Sequence, residues 1–311
     1  MSITILFMQM VKLFLIMCIG YTLYKINIID DHTKAHVTKI LLYVTTPALI
    51  VHSFIDNMTG GERKILIELF ATAMALYIIL PVIAVIIALI LRIKKCERGM
   101  YIFMTVFANV GFMGFPVTEA LFGSVGVFYA AVFNCVFNLF LYTLGVMLMY
   151  YGTDENNSFK DIINGKRILN PGVICCFVSV IIFAFNIPVP KVLDEVLASV
   201  GSLTSPLAMM LVGASLAVMN VKELFGGVRI YLFTALKQIG IPLLLWPLIR
   251  LFIQNDMLVS VTLLMASMPV ANTAVLFATE YKKDEKLAAR GIFITTVVSL
   301  ITIPFVVYIC L

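Results

Sequence analysis

The chain has 311 residues, of which 62% are hydrophobic and 13% charged, with a formal net charge of +5 and a mean hydropathy of +1.06. Soluble domains carry about 25% charged residues, so this composition excludes an ordinary soluble fold and describes an integral membrane protein. The small positive charge carries no nucleic-acid signal, and the six cysteines, Cys18, Cys96, Cys135, Cys175, Cys176 and Cys310, fall in no metal-ligand spacing and read as small apolar filler.

Apolar runs long enough to cross a bilayer predict ten transmembrane helices. The first covers about residues 3–26 and carries Lys12. It has no basic region before it and is too long for a signal-peptide core, so it reads as a retained span. The second, 37–55, contains Thr45-Thr46-Pro47-Ala48-Leu49 and then His52. The third, 65–91, has Glu68 near its start and Pro81 inside. The fourth, 99–122, carries Asn109, Gly111, Gly114, Pro116 and Glu119 near its middle. Hydrocarbon cannot satisfy a freed backbone group, so such a break is expected only where protein or a water-filled cavity covers it. The fifth, 125–151, holds Asn134 and Asn138.

A polar segment, 152–167, marks the midpoint. The sixth span, 168–185, opens on Asn170-Pro171, and the seventh, 196–219, contains Thr204-Ser205-Pro206-Leu207-Ala208. The eighth, 228–253, carries Lys237-Gln238 and Pro242. The ninth, 257–278, is a second interrupted stretch, with Met268-Pro269-Val270-Ala271-Asn272-Thr273. The tenth runs over 287–311.

Proline-bearing motifs recur in the same order in both halves: Pro47 with Pro206, Pro81 with Pro242, Pro116 with Pro269. This predicts two five-helix repeats, 1–151 and 168–311, joined by a cytoplasmic linker, 152–167. An odd number of spans per repeat inverts the second in the membrane. The fold class expected is therefore an all-α integral membrane protein of ten helices in two inverted repeats, with spans four and nine broken and crossing. Lys and Arg cluster after the odd-numbered spans, for example at Lys94, Lys95, Arg98, Lys166, Arg167, Lys282 and Lys283. The opposite side carries Arg63, Lys64, Lys191 and Arg250. The asymmetry predicts a multi-pass protein of the cell membrane with basic loops in the cytoplasm and both termini outside.

Polar residues inside a span default to a functional reading. Asn109 and Asn272 flank the breaks, where their amides can hold a substrate or coupling ion; the alternative is a helix cap. The half-helices expected after Pro116 and Pro269 present amide hydrogens suited to an anion. Lys237, beside Gln238, could supply the balancing charge; the alternatives are snorkelling or a salt bridge to another span. Gly114, Pro116, Pro269 and Thr273 complete the candidate substrate-binding set. Glu119 and His52 are candidates for coupling; their alternatives are structural pairing and packing.

The chain resembles bacterial members of the auxin efflux carrier family, within the wider bile-acid/arsenite transporter group. The resemblance rests on Thr46-Pro47-Ala48-Leu49, on Asn109 followed by Gly114-Phe115-Pro116, on Pro269, and on Ala278-Thr279-Glu280-Tyr281. It implies ten spans in inverted repeats, a scaffold of spans one, two, six and seven, and a transport domain of the rest. It also implies an organic-anion cargo, auxin in plants and dicarboxylates such as malate or malonate in bacteria. Asn109 matches the family's substrate-facing asparagine. The chain departs at Ala274, where plant members have a second proline, and lacks their long central loop, which favours a smaller carboxylate than auxin.

The expected function is thus a secondary transporter moving a small mono- or dicarboxylate, or an auxin-like acid, by alternating access. The alternative is a cation or proton antiporter on the same architecture. A channel is disfavoured by crossing broken helices in inverted halves. No phosphate-binding glycine loop, zinc motif or paired intramembrane aspartates occur, so neither ATP drive nor an enzyme is expected, and no metal or cofactor. The partners expected are the organic anion and the bilayer; proton or sodium coupling and a homodimer stay open.

Overall fold

The structure, a computed structural model, describes residues 3–57, 63–149, 171–218 and 227–310. The 152–167 linker lies outside them. The described residues are helical throughout, apart from turns and one isolated backbone bridge. In chain order the helices are α1 (Ile3–Lys25), α2 (Asp31–Ile40), α3 (Thr46–Asp56), α4 (Arg63–Ile90), α5 (Lys95–Val106), α6 (Phe115–Phe140), α7 (Val146–Met149), α8 (Pro171–Phe185), α9 (Lys191–Gly201), α10 (Thr204–Val218), α11 (Val228–Ala235), α12 (Ile241–Phe252), α13 (Asp256–Ser267), α14 (Thr273–Glu280) and α15 (Glu285–Cys310). Among the described residues, seven continuous helical stretches are long and apolar enough to cross a membrane, and Val173–Phe185 and Asp256–Ser267 are shorter apolar helices.

The prolines act differently from the sequence expectation. Wide π-turns, Leu41–Thr45, Val110–Gly114 and Leu236–Gly240, each lie directly before an X-Pro pair: Thr46-Pro47, Phe115-Pro116 and Ile241-Pro242. Proline has no amide hydrogen and its ring crowds the carbonyl four residues back. Widening the turn by one residue relieves the clash while the helix continues. The amides of Thr46 and Ile241 accordingly reach back five residues, to Leu41 O and Leu236 O. Pro116 therefore does not break span four. The chain departs from the helix upstream of it, at Phe107–Asn109, where Phe107 has φ −98° and ψ 89°. Pro269, by contrast, lies within its break, between α13 and α14.

Helix ends follow local chemistry. Asp30 caps α2 by accepting from Thr33 N at 2.7 Å, and that bond holds the carboxyl below the usual aspartate range. Asn255 caps α13 by accepting from Leu258 N. Asn27, Arg92, Asn186 and Lys282 have positive φ just past α1, α4, α8 and α14. Each is followed by an amide that bonds back to the last helical turn, as Ile93 N does to Ala88 O. Gly123, with φ 62° and ψ −151°, turns the chain within α6 and separates the expected spans four and five.

The described chain forms two compact units. The first comprises Met1–Phe70, Gly111–Cys135 and Leu169–Met219. In it α1 packs along α10, and α3 against α8 and α9. Gly20 and Gly213 permit the α1–α10 approach: a methyl group on either would lie 2.0 Å from Met210 O or 1.9 Å from Met17 O, against backbone that cannot swing away. Phe54, Phe128 and Phe183 form an aromatic cluster beside them. The second unit comprises Ala71–Val110, Val136–Ile168 and Asn220–Leu311. Its core holds a second aromatic cluster, of Tyr77, Phe103, Phe107, Phe137, Phe140 and Phe277, and the π-turn at Leu236–Gly240 packs among α11, α12, α13 and α15.

Candidate functional site

The two breaks meet inside the second unit. Ala108 and Val270 form an antiparallel bridge. Asn109 N donates to Pro269 O at 2.7 Å, and Ala271 N donates to Phe107 O at 3.1 Å. Two interrupted helices thus satisfy each other's freed backbone with two strand-type bonds. An unpaired group in hydrocarbon costs several kcal/mol, so this mutual pairing is what makes two breaks affordable where one would not be.

Side chains settle the remaining polar groups. Lys237 Nζ donates to Met268 O at 2.7 Å, and Lys237 is completely buried. The snorkelling alternative is thereby excluded: the amine turns inward, to the carbonyl freed where α13 ends. Val270 N donates to the hydroxyl of Thr295, at 3.0 Å. Gln238 Nε2 donates to Thr295 O at 2.7 Å, and Thr302 Oγ1 donates to Gln238 Oε1 at 3.3 Å. Both ends of the Gln238 amide are therefore engaged in tying the π-turn to α15.

Asn109 is buried, at the head of the π-turn that leads into α6. Asn272 occupies the N-cap position of α14, but its side chain makes no capping bond. The hydroxyl of Thr273 is buried and has no hydrogen-bond partner. Asn109, Pro269, Asn272, Thr273, Lys237 and Gln238 all belong to the second unit.

The other candidates lie in the first unit. Gly114 closes its π-turn and Pro116 is the second residue of α6; the Thr118 hydroxyl donates to Gly114 O at 2.7 Å. Glu119 accepts a hydrogen bond from the Ser205 hydroxyl. His52 Nδ1 lies 2.7 Å from Asp194 Oδ1, a half-buried pair between α3 and α9. Both coupling candidates thus have specific side-chain partners within their own unit.

Thr295 and Thr302 were not singled out in the sequence. A threonine in an apolar span usually bonds its own helix, and Thr295 does donate to Gly291 O at 2.6 Å. The available signal was spacing: Thr295, Ser299 and Thr302 recur on one face of an otherwise apolar helix.

A profile described as membrane transport protein matches residues 5–307. The chain is 26% identical over 279 residues to an uncharacterized transporter of Methanocaldococcus jannaschii, covering 88% of each chain. It is 25% identical over 295 residues to an uncharacterized transporter of Methanothermobacter thermautotrophicus, covering 92% of each. Near-complete coverage by the profile, together with an all-helical apolar structure, places the protein in the bilayer as a transporter: the chain belongs to the membrane transport protein family, the auxin efflux carrier family to which its motifs point.

Proposed function

We propose that the protein is a secondary transporter that moves a small organic anion, a mono- or dicarboxylate such as malate or malonate or an auxin-like acid, by alternating access. The observation that carries this reading is Lys237. It is fully buried beside the paired breaks, its one bond is to a backbone carbonyl, and among the described residues no carboxylate lies within ion-pairing distance. The only charge an amine can carry is positive, so an anionic visitor at this position gains from it and a cation is opposed by it. The amide of Asn272 and the hydroxyl of Thr273 offer neutral donors at the same break. Asn109 fits the role of substrate-facing amide, and Pro269 holds its backbone.

The architecture best suited to this activity is ten helices in two inverted repeats, 1–151 and 168–311. Its support is an offset that stays within 159–162 residues along the chain. Asn27 and Asn186, which end α1 and α8, stand 159 residues apart, as do Pro47 and Pro206. Pro81 and Pro242 stand 161 apart, as do the first residues of α5 and α13, both of 12 residues and both ending at a break. The bridged pair Ala108 and Val270 stand 162 apart. Pro116 and Pro269, at 153, do not share the offset; Gly114 and Pro116 then shape the half-helix after the first break. The first unit covers the expected spans one, two, six and seven, together with 56–70, which enters the third, and 111–135. Both termini outside and the basic loops in the cytoplasm complete the arrangement. Single cysteines near Asn57 and Lys94 should then be labelled from opposite sides of the membrane; labelling of both from one side would sink it.

The antiporter alternative is less well supported, because both breaks centre on asparagine and neither carries a carboxylate. The experiment that tests the anion reading is uptake of labelled carboxylates into proteoliposomes. Lys237→Ala should abolish uptake and Lys237→Arg should keep part of it. Undiminished uptake by Lys237→Ala would remove the lysine from the site.

A further inference from the structure

The polar helix α2 holds two of the chain's three histidines, His32 and His36, four residues apart. That spacing puts both rings on one face of the helix. Their ring centres stand 4.4 Å apart, with the planes inclined at 45°. Both residues are exposed and α2 buries none of its residues, so apolar packing does not account for the pair. Nδ1 of His36 lies 2.9 Å from the carbonyl oxygen of His32. A carbonyl only accepts, so Nδ1 carries the hydrogen, and in the neutral ring the lone pair is left on Nε2. A ring N–H given to a backbone carbonyl is the support that orients metal-ligating histidines. Among the described residues the His32 ring makes no hydrogen bond. Of the nearby charges, Lys34 is bonded to Asp31 at 2.8 Å, the Asp30 carboxylate is close enough to the His32 ring to interact with it electrostatically, and Lys39 stands in the last turn. α10, which packs against α2, carries no charged residue.

From this pair we infer that α2 carries a surface site for one divalent transition-metal ion, Cu²⁺ or Ni²⁺ before Zn²⁺, held by His32 and His36 with water in the remaining positions. A metal–nitrogen bond of about 2.0–2.1 Å sets the ion about 3 Å from each ring centre, and two such legs on a 4.4 Å base meet at roughly 90°. That angle joins adjacent positions of a square-planar or octahedral ion, whereas the tetrahedral zinc angle calls for rings further apart. Among the described residues no three His, Cys, Asp or Glu side chains form a metal-holding group. The site therefore has two protein ligands and holds an exchangeable ion, not a structural one. Bridging the two rings clamps one turn of a helix that burial does not hold in place. The inference stands apart from the cargo and from the paired breaks.

The test is calorimetric titration of the full-length protein, without a polyhistidine tag, in nanodiscs with Ni²⁺ alone. The parent should bind Ni²⁺ at α2, and acidification should release it, because the ligating rings must be unprotonated. His32→Ala and His36→Ala should each weaken that binding by about tenfold or more, at least what the loss of an outer-shell partner costs a metal site. Binding that survives in both variants measures the exposed thiols of Cys18 and Cys96. Position supplies the control. Added to His36→Ala, Ala35→His restores a ring to the same face, three residues from His32, and should recover part of the affinity. Lys34→His added instead places the second ring on another face and should recover none. Both exposed positions tolerate alanine, so the variants should melt with the parent when no metal is present. Equal Ni²⁺ binding by the parent and both single variants overturns the site, as does a folded parent that binds none. Recovery by Lys34→His as complete as that by Ala35→His would show that histidine count, not the shared face, governs binding, and would overturn it too.

Discussion

The hydroxyl of Thr295 receives the backbone amide hydrogen of Val270 at 3.0 Å, and the Thr295 carbonyl receives the side-chain amide of Gln238 at 2.7 Å. One residue of α15 thus holds the second break on one side and the lysine-bearing π-turn on the other. Thr295→Val keeps shape and removes the acceptor, leaving the Val270 amide buried without a partner. The expected cost is about 1–3 kcal/mol of stability, read as earlier thermal unfolding in detergent. Thr295→Ser keeps the hydroxyl and should unfold close to the parent. Equal melting of Thr295→Val and Thr295→Ser would show that the bond contributes nothing.

How far the sequence reached can be judged from these residues. The all-helical, apolar character was legible because a helix in lipid must be apolar over its whole length, and that signal survives without alignment. The breaks were legible as places where Asn109, Pro269 and Asn272 interrupt such runs. The position of the first break was not. Pro116 marks a widened turn that keeps the helix, and the chain leaves the helix earlier, at Phe107–Asn109, where Asn109 alone marks it. The reason is tertiary: Phe107 and Asn109 leave the helix because Ala271 and Pro269, some 160 residues away, supply their backbone partners. Lys237 could be recognised as costly in a membrane, but its direction could not. Whether a lysine reaches for the interface or for a freed carbonyl depends on which helix end lies beside it, and that belongs to packing.

The widened turn before Pro242 should itself matter. A π-turn holds one residue more than an α-turn, so removing it rotates one side of the helix against the other by about 100°. Pro242→Ala restores the amide hydrogen and removes the ring clash, which allows Leu236–Gly240 to close as ordinary α-helix. The expected result is thermal stability equal to or above that of the parent, with uptake lost because Lys237 turns away from Met268. Normal uptake by Pro242→Ala would mean that the wide turn does not set the lysine's position.

The asparagines at the breaks provide the sharpest comparison between binding and scaffolding. Asn272 stands at the N-cap of α14 without making a capping bond, so Asn272→Ala should cost little stability, less than the roughly 0.5–2 kcal/mol of a lost cap. If its amide meets the cargo, the same change removes a hydrogen bond to a carboxylate. That loss is worth about 1.5–3 kcal/mol, or one to two decades of affinity. Asn109 is buried, and its backbone is already committed to Pro269. Asn109→Ala should therefore lower stability as well as affinity, and the two substitutions separate on a plot of melting temperature against binding. Replacement by aspartate tests the sign of the site. Asn272→Asp keeps the size and places a negative charge where an anion is expected, a few residues from the carbonyl that Lys237 holds. Loss of anion binding in a protein that still folds is the expected outcome. Should Asn109→Asp and Asn272→Asp both bind carboxylates as the parent does, neither amide faces the cargo, and the anion site must be sought away from the paired breaks.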